Sequence, residues 1–297
     1  MDIRLLAERF YEYSTHMRGY SDNTVRRYEG AIERLLVLTK ITDTEEITPQ
    51  VVRDWFFCGR SDHSWSTATF RTYHKSLVVF FRWCIKNGYI QKSPLDDIEV
   101  PRLEKRLPPK LTREEALRLL ETAFNAPDRE TFTRYRNHAL LSTFLFAGLR
   151  RQEALRLRFM DVDLNDATLF VRQGKGAKDR IVPISLKLRD TLSRYVTERS
   201  QIRRTCPEFF TSSVENRGMC DTALRRMVQR VRDGSGIRFT VHQLRHTFAT
   251  LMLEGGCDIY SLSRMMGHEN ITTTTIYLAA SPQQLRAQIT KHPLNAL

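Results

Sequence analysis

Glu99-Val-Pro-Arg-Leu-Glu-Lys-Arg-Leu-Pro-Pro-Lys110 is the stretch that divides this chain. Three prolines and four basic residues in twelve positions disfavour a packed helix. Proline fixes φ and lacks the N–H that an inner helical turn needs. Directly after it, Thr112-Arg-Glu-Glu115 is a capping box that opens a helix carrying Leu117, Leu119 and Leu120. The expected organisation is an N-terminal domain over 1–103, a linker over 104–110 and a C-terminal domain over 111–297.

On the N-terminal side the patterning is helical. Ser21 or Asp22 caps a stripe formed by Val25, Tyr28, Ile32 and Leu35. Thr48-Pro49 supplies a cap and a first-turn proline before Val51, Val52 and Trp55. Residues 66–86 carry Phe70, Leu77, Phe80, Phe81 and Cys84, and Gly88 reads as the stop. On the C-terminal side one β-rich interruption stands among helices. Thr168-Leu-Phe-Val171 and Arg180-Ile-Val-Pro-Ile184 are short strand-like runs joined by a basic, glycine-containing tip, 172–179. Pro183 points to an edge strand. Helices are expected over 186–199, 221–232, 242–253 and 259–266. The fold class is therefore mainly α, with a small antiparallel β-sheet in the C-terminal domain.

Composition narrows the function. The longest apolar run, 139–149, is interrupted by Ser142 and Thr143 and falls short of the ~20 residues a membrane helix needs. Met1 to Phe10 alternates charged and apolar residues and has no signal-peptide core, so a cytoplasmic protein without membrane contact is expected. The five cysteines are odd in number and lack a CxxC pair, which disfavours both a disulfide framework and a zinc site. Net charge is +13, yet residues 1–104 sum to zero, so the whole surplus lies in the second part. Arginines outnumber lysines 37 to 10, and a guanidinium matches phosphate oxygens with a planar fork. A nucleic-acid partner is the first expectation.

The chain has no GxxxxGK phosphate loop, no GxGxxG and no HExxH. His242 and His246 are i, i+4 and could form half a metal site, but Arg245 between them would repel a cation. Neither a metal nor a cofactor is expected. What remains is a series of polar groups: Arg150 and Arg151 after an apolar helix, Lys175 in the basic tip, His242 and Arg245 at i, i+3, His268 after Gly267, and Tyr277. Singly, each has a plainer reading as a solvated helix end, a loop-tip lysine, a C-cap or a core tyrosine. Taken together, several cationic donors converging on one point would bind a phosphodiester and neutralise the charge that builds as it is attacked. A tyrosine beside them would be a nucleophile.

Four stretches in this order resemble the tyrosine recombinase (phage integrase) family, and the size and layout are most similar to its Xer branch. They are Ala147-Gly-Leu-Arg-Arg-Gln-Glu-Ala-Leu155, Gly174-Lys-Gly-Ala-Lys-Asp-Arg180, Val241-His-Gln-Leu-Arg-His-Thr-Phe-Ala-Thr250 and Met266-Gly-His-Glu-Asn-Ile-Thr-Thr-Thr-Thr-Ile-Tyr277. The resemblance implies a two-domain clamp, with a SAM-like helical core-binding domain and a catalytic domain. It implies site-specific cutting and rejoining of DNA through a 3′-phosphotyrosyl intermediate and a Holliday junction.

By position, the resemblance makes Tyr277 the nucleophile and sets Arg150 and Arg245 on the non-bridging oxygens. Lys175 becomes the acid for the 5′-oxygen, with Lys178 as its competitor. His242 would assist proton transfer from Tyr277 or bond the phosphate, and His268 would donate to a non-bridging oxygen. Glu153 would orient the site. Lys178, Arg180, Arg225, Arg226 and Arg230 are expected DNA contacts, and Arg232 belongs with them. The implied partners are duplex DNA with an inverted-repeat core site and three further protomers, in a homo-tetramer or a hetero-tetramer with a second recombinase. Residues 281–289 look like the helix that such proteins dock into a neighbour. Leu278-Ala-Ala280 departs from the Thr-His that Xer proteins more often have after the tyrosine, which leaves dimer resolution and mobile-element integration or excision both open. Type IB topoisomerase-like relaxation and a non-catalytic DNA-binding relative are the alternatives.

Overall fold

The computed structural model describes residues 1–104, 109–125, 131–172 and 179–277. Lys175, Lys178 and the expected helix over 281–289 lie outside the described residues, as does most of the linker. The chain forms two compact units, Met1–Lys105 and Arg106–Leu297.

The first unit is built from helices α1 (Ile3–Glu12), α2 (Asp22–Thr39), α3 (Pro49–Ser61) and α4 (Thr67–Lys86), with a π-helical turn over Tyr13–Met17. Of the expected caps, Thr48 makes its side-chain bond, whereas Ser21 stands at the N-cap of α2 without one; Ser66 caps α4 in addition. Thr48 Oγ1 accepts from the Val51 amide at 3.2 Å, and Ser66 Oγ accepts from the Thr69 amide at 3.1 Å. Helix α1 is not signalled by the alternation that the N-terminal residues suggest. Its buried residues, Ile3, Leu6, Ala7 and Phe10, nevertheless share one helical face, and Asp2 caps it. The core of this unit is aromatic: Phe10, Trp55, Phe56, Phe80 and Phe81 are all buried.

The second unit contains α5 (Arg113–Asn125), α6 (Thr131–Ala147), α7 (Arg151–Arg156), β1 (Val162–Asp163), β2 (Thr168–Val171), β3 (Arg180–Pro183), α8 (Leu186–Gln201), α9 (Asp221–Ser235), α10 (Val241–Glu254), α11 (Ile259–Met266) and α12 (Thr272–Thr275). The capping box opens α5 as expected: Thr112 Oγ1 accepts from the Glu115 amide, and a Glu115 carboxylate oxygen accepts from the Thr112 amide. The three strands form one antiparallel sheet in the order β1-β2-β3, with Leu169 opposite Val182 and Phe170 opposite Ile181. Leu169, Val171 and Val182 face the core, while Pro183 sits on the edge strand, where no ladder bond is lost. Strand β1 is too short to leave a periodic signal.

Helix α6 is the centre of this unit. It is buried on nearly all sides and packs against α5, α8 and α10. Two glycines then aim the chain where function will need it. After α6, Gly148 has φ +60°, and a Cβ there would stand 2.2 Å from the ring of Phe248. After α11, Gly267 has φ +64°, and a Cβ would stand 2.9 Å from the Arg180 guanidinium. Both turns lie in the left-handed region that disfavours other residues, and a side chain at either would force its neighbour to move.

Candidate active site

The two turns present main-chain carbonyls to the two arginines that the sequence singled out. Arg245, on α10, donates from Nη1 to the Gly148 carbonyl at 2.5 Å and from Nη2 to the Met266 carbonyl at 2.6 Å. Arg150, the residue before α7, donates from Nη2 to the Gly267 carbonyl at 2.7 Å. Arg245 is only 2% exposed. Burial, and then the neighbouring Arg150 guanidinium, press its pKa from the ordinary arginine value down to about 9. It keeps its charge at neutral pH, at an energetic cost that a bound anion would offset.

Glu153 is the carboxylate behind these cations. Its oxygens accept from Arg150 Nη1 at 2.7 Å, from the Arg150 amide at 2.7 Å, and from Arg180 Nη1 and Nη2 at 2.9 and 2.8 Å. Arg245 lies 4.0 Å away. Burial alone would raise the Glu153 pKa. The two bonds and the charge of Arg180, with the donors of Arg150, outweigh it and hold the group at about 2. One carboxylate thus faces three guanidiniums, and the local surplus is positive.

The imidazoles and the tyrosine complete the cluster. His268 Nε2 stands 3.1 Å from Arg245 Nη2, and its Nδ1 stands 2.8 Å from Thr274 Oγ1. A guanidinium only donates, so Nε2 accepts. Burial first, then Arg245, Arg150 and Arg180, lower this imidazole to about pKa 4, so it is neutral. Its single proton is therefore on Nδ1, which donates to Thr274. The sequence reading had His268 donating to a phosphate, but in this arrangement Nε2 is an acceptor already engaged with Arg245. The ring of Tyr277 packs among Phe248, Leu253, Leu262 and Met266 and is 3% exposed. Its hydroxyl lies 2.7 Å from His246 Nδ1. Burial raises the phenol pKa while Arg245 and Arg150 oppose the shift, so the hydroxyl is protonated at neutral pH.

His246 is the residue the sequence reading passed over. Its i, i+4 spacing from His242 is the signal in the sequence, and that spacing by itself suggests only half a metal site. His242 meets His246 edge to face, with ring centroids 4.2 Å apart, and does not itself hydrogen-bond the Tyr277 hydroxyl. Among the described residues no three His, Cys, Asp or Glu side chains group as metal ligands would.

Arg150, His242, Arg245, His246, His268 and Tyr277 all line one groove of about 1120 Å³. Arg225 and Arg226, from α9, line it too, and Arg225 also pairs with Asp221 at 2.9 Å. Arg232 lines it while donating to the Phe239 carbonyl. Arg230 is exposed and lies outside the groove lining. Arg180 is placed differently from its expected role as a DNA contact. All three of its guanidinium nitrogens donate within the protein, to both Glu153 oxygens and to the Met265 carbonyl at 2.9 Å. It belongs to the frame of the site.

Residues 109–284 match the phage integrase family, and residues 6–91 match the phage integrase N-terminal SAM-like domain. The chain belongs to the phage integrase family. Its relatives include tyrosine recombinase XerC of Thermodesulfovibrio yellowstonii, 30% identical over 96% of this chain and 95% of that one. Tyrosine recombinase XerD of Staphylococcus epidermidis is 29% identical over 98% and 99%. Among solved structures, the XerA recombinase is 28% identical with a TM-score of 0.54, covering 98% of each chain. A lambda integrase dimer bound to a COC′ core site shares the fold at 19% identity, with a TM-score of 0.73 over 92% of this chain and 97% of that one. This integrase-family chain is thus a tyrosine recombinase in fold and in its catalytic domain, and the groove lies within the matched catalytic segment.

Proposed function

We propose that Tyr277 attacks a scissile phosphodiester in duplex DNA, giving a 3′-phosphotyrosyl link and a free 5′-hydroxyl, in site-specific recombination through a Holliday junction. The observation that carries this is the placement of the Tyr277 hydroxyl in a groove with Arg150 and Arg245, whose positive charge exceeds that of the one carboxylate behind them. Arg150 and Arg245 take the two non-bridging oxygens and offset the charge of the pentavalent transition state. His242, facing the same groove, bonds the phosphate. Glu153 and Arg180 hold Arg150, and His268 holds Arg245. Lys175, by its place in Gly-Lys-Gly, protonates the departing 5′-oxygen. The phosphodiester energy is kept in the tyrosyl ester and returned when a new 5′-hydroxyl attacks, so the reaction needs no nucleotide hydrolysis.

The family match supports a division of labour. Residues 1–103 bind the core site, and 111–297 catalyse. The partner is duplex DNA with an inverted-repeat core, bound by four protomers, either all of this chain or shared with a second recombinase, in the cytoplasm. Among the described residues no helix is long and apolar enough to cross a membrane. A lambda integrase tetramer on a Holliday junction provides the precedent of the same fold for the assembly.

The test is to incubate the protein with fragmented DNA from its own source, denature it, and sequence the ends of the fragments that stay attached. Adducts at 3′ ends of one inverted-repeat site, absent from Tyr277→Phe although that variant still binds DNA, are expected. A single site near the replication terminus would assign dimer resolution, and sites at element ends would assign integration. Adducts scattered without a site would replace this reading with topoisomerase-like relaxation. Adducts that persist in Tyr277→Phe would remove Tyr277 as the nucleophile.

A further inference from the structure

Attack by Tyr277 requires its hydroxyl to lose a proton, and in the buried site the phenol holds that proton firmly. We infer that His246 is the base that receives it, an assignment that rests on the recombinase reading above. The geometry is direct. His246 Nδ1 lies 2.7 Å from the hydroxyl, within the range for proton transfer to a general base. No other hydrogen bond of that hydroxyl is present among the described residues. The ring of Tyr277 is fixed in its small apolar cluster, so its oxygen is kept on the imidazole. His242 stands one helical turn earlier, meets His246 edge to face and makes no hydrogen bond to the Tyr277 hydroxyl.

The charge around His246 suits a base that must be empty before the reaction and full during it. The groups that face it are His242 and Arg245 from its own helix, His268 from the turn after α11, and Tyr277. Burial, then His242 and Arg245, hold its pKa at about 4, so it is unprotonated at neutral pH. The scissile phosphate brings negative charge to Arg150 and Arg245. That relieves the repulsion opposing an imidazolium at the moment one forms.

The step balances. The Tyr277 O–H bond breaks and a bond from hydrogen to His246 Nδ1 forms. The phenolate oxygen bonds phosphorus, and the bond from phosphorus to the 5′-oxygen breaks. That oxygen keeps the electron pair and takes a proton from Lys175. On rejoining, a 5′-hydroxyl returns its proton to the lysine and attacks phosphorus, while the departing phenolate recovers its proton from His246.

The experiment follows adduct formation in a single turnover from pH 6 to 9, on the duplex fragment recovered by the adduct capture described above. It compares the wild-type protein with His246→Asn, whose amide can hydrogen-bond near the Nδ1 position but cannot take a proton. Wild type is expected to vary little between pH 6 and 8. The variant is expected to react about 100-fold or more slowly at pH 7. Its rate should rise about tenfold per pH unit, because only solvent then ionises the phenol. Its DNA affinity and melting temperature should match wild type. His246→Gln gives the same slope test should the asparagine variant unfold. A variant rate within a few-fold of wild type, or a slower rate with the wild-type slope, would overturn the role of His246. Absence of any Tyr277-dependent adduct from wild type would instead overturn the recombinase reading, and this inference with it.

Discussion

Glu153 and Arg180 meet through two hydrogen bonds of 2.9 and 2.8 Å, with side chains only 6% and 11% exposed. The pair is the fixed point from which the rest of the cationic cluster is held. Its energetics are open to titration. The folded-state pKa of Glu153, about 2, lies below the ordinary value of 4.5. Its contribution to stability is therefore complete above pH 4.5 and is lost as pH falls toward 2. At 1.36 kcal/mol per pKa unit that contribution is about 3 kcal/mol. Glu153→Gln should be less stable by about that amount at pH 7 without DNA, and the gap to wild type should close as the pH is lowered from 5 to 2.5. Urea unfolding across that range measures it. A gap that stays constant with pH would refute the assignment.

The glycine turns give a stability comparison with an internal control. Gly148→Ala places a methyl group 2.2 Å from the Phe248 ring at a positive φ, whereas Gly236→Ala has a positive φ with open space around it. The second change should cost about 1 kcal/mol from backbone strain alone. The first should cost about 1–3 kcal/mol more, because the ring must move. Equal losses in chemical denaturation would show that the contact with Phe248 is not what excludes a side chain at Gly148.

Thr274 is the residue that fixes the His268 tautomer, and it is fully buried. Thr274→Val removes the acceptor for the Nδ1 proton and leaves Arg245 with a less constrained partner. The loss of one buried hydrogen bond, about 1–1.5 kcal/mol, corresponds to about tenfold in rate if it is felt at the transition state. Adduct formation should fall by that factor while DNA affinity holds, and Thr274→Ser should recover it. Nitrogen NMR of His268 should show the Nδ1-protonated form in wild type and a mixture in the valine variant. An unchanged spectrum would show that another group sets the tautomer.

Arg226 and Arg180 should separate in the salt dependence of DNA binding. Arg226 is exposed on the groove, and a phosphate contact there would contribute about 0.9 to the slope of log affinity against log salt. Arg226→Gln should lower the slope by about that much. Arg180→Gln should leave it unaltered while reducing stability, because the Arg180 guanidinium is engaged with Glu153 and Met265. Fluorescence anisotropy at several salt concentrations decides between the two. A slope change at Arg180 would return it to the DNA contacts that sequence order suggested.

Much of this site is legible in the sequence. Arg150, His242, Arg245, His268 and Tyr277 stand in an order that chemistry rather than packing explains, and all five line the same groove. The helices were legible because caps and apolar periodicity are local. What escaped was the part carried by main-chain acceptors and by contacts between distant segments. Gly148 and Gly267 stand inside the resembling stretches, but nothing in the sequence says that their carbonyls receive Arg245 and Arg150. Thr274 is one of four consecutive threonines, and only the pitch of α12 decides which one faces His268. Arg180 reads as one more basic residue of the hairpin until the fold sets it beside Glu153.

The Gly148, Met266 and Gly267 carbonyls receive Arg245 and Arg150 through the main chain, so these bonds, unlike those of Glu153 and His268, do not depend on the identity of a side chain. On the proposed reading, substitutions elsewhere around the groove can drift without dislodging Arg150 and Arg245, provided the glycines, Glu153, Arg180 and His268 stay and the α6 and α11 ends keep their places. On the same reading, the groups that would meet DNA elsewhere in the groove, such as Arg226, are side chains, free to diversify as targets change. The architecture thus separates a chemistry that is hard to lose from a specificity that is easy to rewrite, a division that suits an engineer retargeting the protein as well as it suits inheritance.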